Sequence, residues 1–67
     1  MSFFVGQLRK WASKILSIRP GTTFIVIEVR KFTYDENKNV VWIYDENGEI
    51  DIFSEDTLKE HTEELEK

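Results

Sequence analysis

The chain has 67 residues, 40% of them hydrophobic and 33% charged, with no cysteine and a formal net charge of −4. That length allows one domain, which buries only about 60% of its unfolded surface, and the missing cysteines exclude disulfide staples and a cysteine-ligated zinc. Arg9, Lys10 and Lys14 interrupt the first apolar stretch, so neither a secretory signal nor a span of about 20 apolar residues is read there, and a soluble cytoplasmic protein is expected.

The pattern predicts a helix over 1–19, a three-stranded sheet over 22–53 and an acidic helix over 54–67. At helical spacing Phe4, Val5, Leu8, Trp11, Ala12, Ile15, Leu16 and Ile18 fall within an arc of about 160°, the width of a face laid on a core. Ser2 offers an N-cap, and Pro20 with Gly21 stops the helix.

From Thr22 the residues change to Thr, Phe, Ile and Val, which favour a pleated strand. Tyr-Asp-Glu-Asn occurs twice, at 34–37 and 44–47, each time where a strand enters a turn, and Asn47-Gly48 is a strong hairpin signal. Strands near 22–34, 39–44 and 49–53 form an antiparallel meander. Ser54 caps the last helix, Thr57 with Glu60 matches a capping box, and Leu58, His61 and Leu65 are its only inward stripe.

With turns at 35–39 and 45–48, Phe32 lies beside Trp42 and Asp51, and Tyr34 beside Val40 and Phe53. Alternation then sends Ile25, Ile27, Val29, Val41, Ile43, Ile50 and Ile52 to the opposite face, as a bed for the first helix. The fold expected is α+β, an N-terminal amphipathic helix packed on the meander, with a small SH3-like barrel as the alternative. The first strand overhangs the second at residues 22–27, which leaves open a bend within the chain or pairing across a homodimer.

Catalytic chemistry finds no motif. His61 is the single histidine, among acids and threonines, without an orienting partner in the pattern. Asp45, Asn47, Glu49 and Asp51 alternate like calcium ligands, but Gly48 falls at the fourth position and Asp56 at the twelfth, where a calcium hand needs glycine at the sixth and glutamate at the twelfth. Gly6, Gly21 and Gly48 are isolated, so no phosphate loop is formed. The expectation is no enzyme, no metal and no cofactor.

What remains is a binding role. Phe32, Tyr34, Trp42, Tyr44 and Phe53 form the expected partner-binding face, since Trp and Tyr give large contact area at low entropy cost. The expected function is a small protein-binding module, such as a virus- or phage-type inhibitor of a larger host protein. Residues 1–31 carry +5 and residues 32–67 carry −9, so a nucleic-acid role is the alternative. It takes two forms: weak phosphate binding by the basic first helix, against which the net charge weighs, and DNA mimicry by Glu55, Asp56, Glu60, Glu63, Glu64 and Glu66. Membrane attachment by the first helix is not expected, because the aliphatic sheet face would lose its cover.

Overall fold

The longest run of β-branched and aromatic residues, Thr23–Phe32, is the central strand of the protein. The computed structural model describes residues 3–32 and 35–65. Its elements are β1 (Leu8–Trp11), β2 (Thr23–Phe32), β3 (Asp35–Asp45), β4 (Ile50–Ser54), α1 (Glu55–His61) and β5 (Thr62–Glu64). They make one antiparallel sheet in the order β4-β3-β2-β1-β5, with one short helix.

The N-terminal helix on a three-stranded meander is therefore corrected: residues 8–11 are a strand and the sheet has five strands. Gly6 stands at φ +94° and donates its N–H to the Val26 carbonyl (2.8 Å), while Val26 donates back to Gln7 (2.9 Å). Buried backbone groups must find partners, and the overhang of β2 finds them here: Leu8 pairs with Ile25 and Lys10 with Thr23. A lone helix of this length is marginal in water, and Gly6 with β-branched Val5, Ile15 and Ile18 weakens it further. The later part of the predicted helix turns instead, with Leu16 at φ +52° and Ile18 donating to the Ile15 carbonyl (2.9 Å). Ser2, its expected cap, lies outside the described residues.

The tail is corrected as well. Ser54 does cap α1, accepting from the Thr57 N–H (3.2 Å), but the helix ends at His61. Both the backbone N–H and the hydroxyl of Thr62 donate to the Leu58 carbonyl, and Thr62–Glu64 then pairs with β1 as β5. Extending α1 would leave that side of β1 without a ladder partner.

The hairpin registers differ from those expected. Asp45 and Glu49 close the β3–β4 hairpin: Asp45 donates to the Glu49 carbonyl (2.9 Å) and Gly48 to the Asp45 carbonyl (3.0 Å), with Gly48 at φ +83°. This is a three-residue loop whose glycine takes the left-handed bulge position. The expected register had a two-residue loop, and the single residue of difference turns β4 over. Phe53 thus opposes Val41 and Asp51 opposes Ile43, while Ile52 opposes Trp42 and Ile50 opposes Tyr44. Between β2 and β3, Trp42 opposes Glu28 rather than Phe32, which pairs with Asp35. A bulge between Val26 and Glu28 resets the alternation.

The core comprises Phe3, Trp11, Phe24, Val26, Val41, Ile43 and Leu58, with Ile15, Ile18, Val29 and Phe53 packed against it. Of the expected aliphatic bed, Val29, Val41 and Ile43 face inward, whereas Ile27, Ile50 and Ile52 are exposed. Trp11 meets Phe24 at 5.5 Å and Phe53 at 5.0 Å between ring centroids, so the sheet curls and brings β1 over β4.

Candidate interaction face

The outer surface of the sheet carries the most distinctive arrangement of side chains. Residues opposite one another in an antiparallel sheet share a face, so the registers place Leu8, Ile25, Tyr44 and Ile50 in one row across β1, β2, β3 and β4. Leu8 is 52% exposed, Tyr44 47% and Ile50 60%, while Ile25 is half-buried between its neighbours. Three strand spacings of about 4.8 Å make this apolar ridge roughly 14 Å long.

A second row joins Glu28, Trp42 and Ile52, the last 54% exposed. Arg30 holds its guanidinium 5.5 Å from the Trp42 ring centre and is itself fixed by Glu28, at 2.7 Å from Nε. One end of Trp42 is thus covered by an ion pair, and the opposite side meets Ile52.

Of the five residues expected to form a binding face, Trp42 and Tyr44 lie together here. Phe53 faces inward against Trp11. Phe32 ends β2 beside Asp35, four residues along the strand from the position opposite Trp42. Tyr34 lies outside the described residues. The sequence pattern places the aliphatic members of the face, Leu8, Ile25, Ile50 and Ile52, on core-facing surfaces, and the registers turn them outward. Gly48, at the third position of a three-residue loop, was the signal that could have placed Ile50 and Ile52 outside.

The charged groups elsewhere serve the fold. Asp45, Glu49 and Asp51 bring carboxylates within 4.8 Å of one another, yet the Asp45 Oδ1 accepts the N–H groups of Asn47 (2.9 Å) and Glu49 (3.0 Å), which is turn chemistry. Arg9 is buried on the inner face of β1, donating from Nε to the Thr62 hydroxyl (2.9 Å) and from Nη2 to the Thr62 carbonyl (3.1 Å), with its cation 4.7 Å from the Phe3 ring centre. Burial lowers its pKa below the usual arginine value, and the nearby Glu64 carboxylate works against that.

His61 sits at the end of α1 with its Nδ1 3.1 Å from the Ser13 hydroxyl, and its carbonyl accepts from the Ala12 N–H (2.7 Å). These two bonds tie the loop after β1 to α1. The imidazole Nε2 is 4.0 Å from the exposed Glu60, too far to orient it as a catalytic base requires.

Among the described residues, no helix is long and apolar enough to cross a membrane. No family model, curated protein or solved structure matches this chain.

Proposed function

We propose that this chain is a non-enzymatic protein-binding module of the cytoplasm that acts by covering part of a larger protein with its outer sheet face. The observation that supports this most is the exposed row Leu8, Ile25, Tyr44 and Ile50, flanked by Trp42 and Ile52. A small domain gains nothing in stability by leaving three such side chains about half in water, and contiguous apolar patches of this kind mark interaction sites.

The rim gives the partner its chemistry. The exposed Glu49 immediately precedes Ile50 at one end of the row, and the chain as a whole carries −4. The surface complementary to it is apolar at its centre and ringed by lysine or arginine, which would also speed association. The acidic tail adds less to a DNA-mimic reading than its charge suggests. Glu55, Glu63 and Glu64 are engaged within the chain by Lys59 (3.2 Å), Lys10 (3.3 Å) and Gln7 (3.2 Å), and Glu66 lies outside the described residues.

The test is affinity capture from cytoplasmic lysate with wild type, Tyr44→Ala, Ile50→Glu and, as a control away from the face, Lys14→Glu, each checked for fold by circular dichroism. One protein retained by the wild type and the control, and lost by the two face variants, supports the reading. Equal capture by all four removes it.

A further inference from the structure

We infer that the open edge of β4 takes up an extended segment of the partner, of alternating apolar and basic residues, as a sixth strand of the sheet. This rests on the reading of the protein as a binding module and specifies how it binds.

β4 ends the strand order, and among the described residues it pairs with β3 alone. Asp45 and Glu49 form a hydrogen-bonded pair at the hairpin, and such pairs alternate along an antiparallel ladder. Asp51 and Phe53 therefore bond to β3, while the N–H and C=O groups of Ile50 and Ile52, and the N–H of Ser54, point to the open side. An edge of this kind is a template for another strand. The exposed Ile50 and Ile52 side chains stand on its outer face, so an added strand would bury them as well.

The charges select the occupant. Asp51 is the central inward residue of the edge, half-buried, and makes no ion pair among the described residues. A second copy of the chain fits poorly in every two-fold register. Centred on Asp51, the pairing sets that carboxylate against itself; centred on Ile50, it sets Asp51 against Glu49; centred on Ile52, it sets Asp51 against Phe53; and centred on Phe53, it runs past Ser54 into α1, so in none of them does Asp51 face a cation. Like charges placed directly across a pair of strands are destabilising. A lysine or arginine opposite Asp51, with apolar neighbours opposite Ile50 and Ile52, satisfies the same three positions. Self-pairing thus leaves Asp51 without a cation in every register, and a basic foreign strand supplies one.

The probe is a capped octapeptide of alternating isoleucine and lysine, titrated into the intact protein while amide shifts and hydrogen exchange are followed. Slowed exchange centred on the Ile50, Ile52 and Ser54 amides is expected, with affinity reduced at least about tenfold when glutamate replaces lysine in the peptide. N-methylation of alternate peptide residues, which removes the N–H groups that face β4, should abolish binding. Ile52→Pro should do the same from the protein side, because its N–H points outward and proline is tolerated on an edge. Should that variant unfold, the N-methylated peptide still decides, since it uses the wild-type chain. Equal binding of the N-methylated peptide, protection located elsewhere, or a dimer broken by Ile52→Pro without peptide binding each overturns the inference. Capture of a partner through Tyr44 and Ile50 without peptide binding overturns it too, and leaves the face reading standing.

Discussion

Trp11 and Phe53 meet edge to face, 5.0 Å between ring centroids at 66°, although two strands separate β1 from β4 in the sheet order. In a flat sheet those strands would lie roughly 14 Å apart. The contact therefore holds the curl of the sheet, and with Phe24 at 5.5 Å it makes Trp11 the centre of the core. Trp11→Ala should cost about 3–5 kcal/mol, enough to unfold a domain of this size near room temperature. Trp42→Ala, on the outer face, should cost only about 1 kcal/mol, mainly its contact with Arg30. Urea denaturation followed by circular dichroism measures both, and equal losses would contradict the assignment of the two tryptophans to opposite faces.

Gly48 sets the register of β4 through its φ of +83°. Its substitution by alanine meets no steric obstacle, since the nearest atom to an added Cβ is the Tyr44 hydroxyl at 3.8 Å. The penalty is conformational, about 1 kcal/mol. Gly48→Ala should lower the unfolding free energy by that amount, with a lower denaturation midpoint, and Gly48→Asn by less, because asparagine tolerates the left-handed region better. An unchanged midpoint for alanine would mean that the loop does not need its bulge.

Thr62 links three elements through one side chain, donating to the Leu58 carbonyl and accepting from the buried Arg9. Thr62→Val leaves the Arg9 Nε without its acceptor and should cost about 1–3 kcal/mol. Arg9→Met removes the buried cation and its desolvation together, so it should be within about 1 kcal/mol of wild type or more stable. Thermal unfolding of the two variants side by side tests this order, and a larger loss for Arg9→Met would reverse the account.

Glu55 stands in the first turn of α1, where the Asn39 side-chain amide donates to it at 3.1 Å and Lys59 pairs with it at 3.2 Å. The Asn39 hydrogen bond is the main reason its pKa lies below the usual glutamate value; Lys59 adds to it, and partial burial opposes it. A carboxylate whose pKa is depressed by folding contributes stability above the ordinary range, near 4.3, and loses it as the pH falls through the lowered value. Stability should therefore decline on acidification below about pH 4.3, and Glu55→Gln should flatten part of that decline. Parallel acid titrations that overlay would show that Glu55 is not among the groups responsible.

Local chemistry was legible wherever a short stretch of residues decides the outcome. The three strands between residues 22 and 54, the turn at Asn47-Gly48 and the Ser54 cap follow from β-branched runs, a left-handed glycine and a hydroxyl beside free amides. The outer face was legible only in part. Trp42 and Tyr44 are two residues apart on one strand and had to share a side, but Ile50 and Ile52 depended on a hairpin one residue longer than expected. Leu8 was hidden by a helical pattern that fits residues 4–18 well.

By itself the sequence determined a cysteine-free, acidic composition and an antiparallel hairpin core, because composition, β-propensity and turn residues act within a few positions. Only the tertiary structure decided that residues 8–11 are a strand. The open edge of β2 needed hydrogen-bond partners, and from β1 the Trp11 side chain is fully buried in the core. The same pairing turned Gln7 and Arg9 inward and Leu8 outward, against their polarity, and so built the exposed row that no local pattern contains.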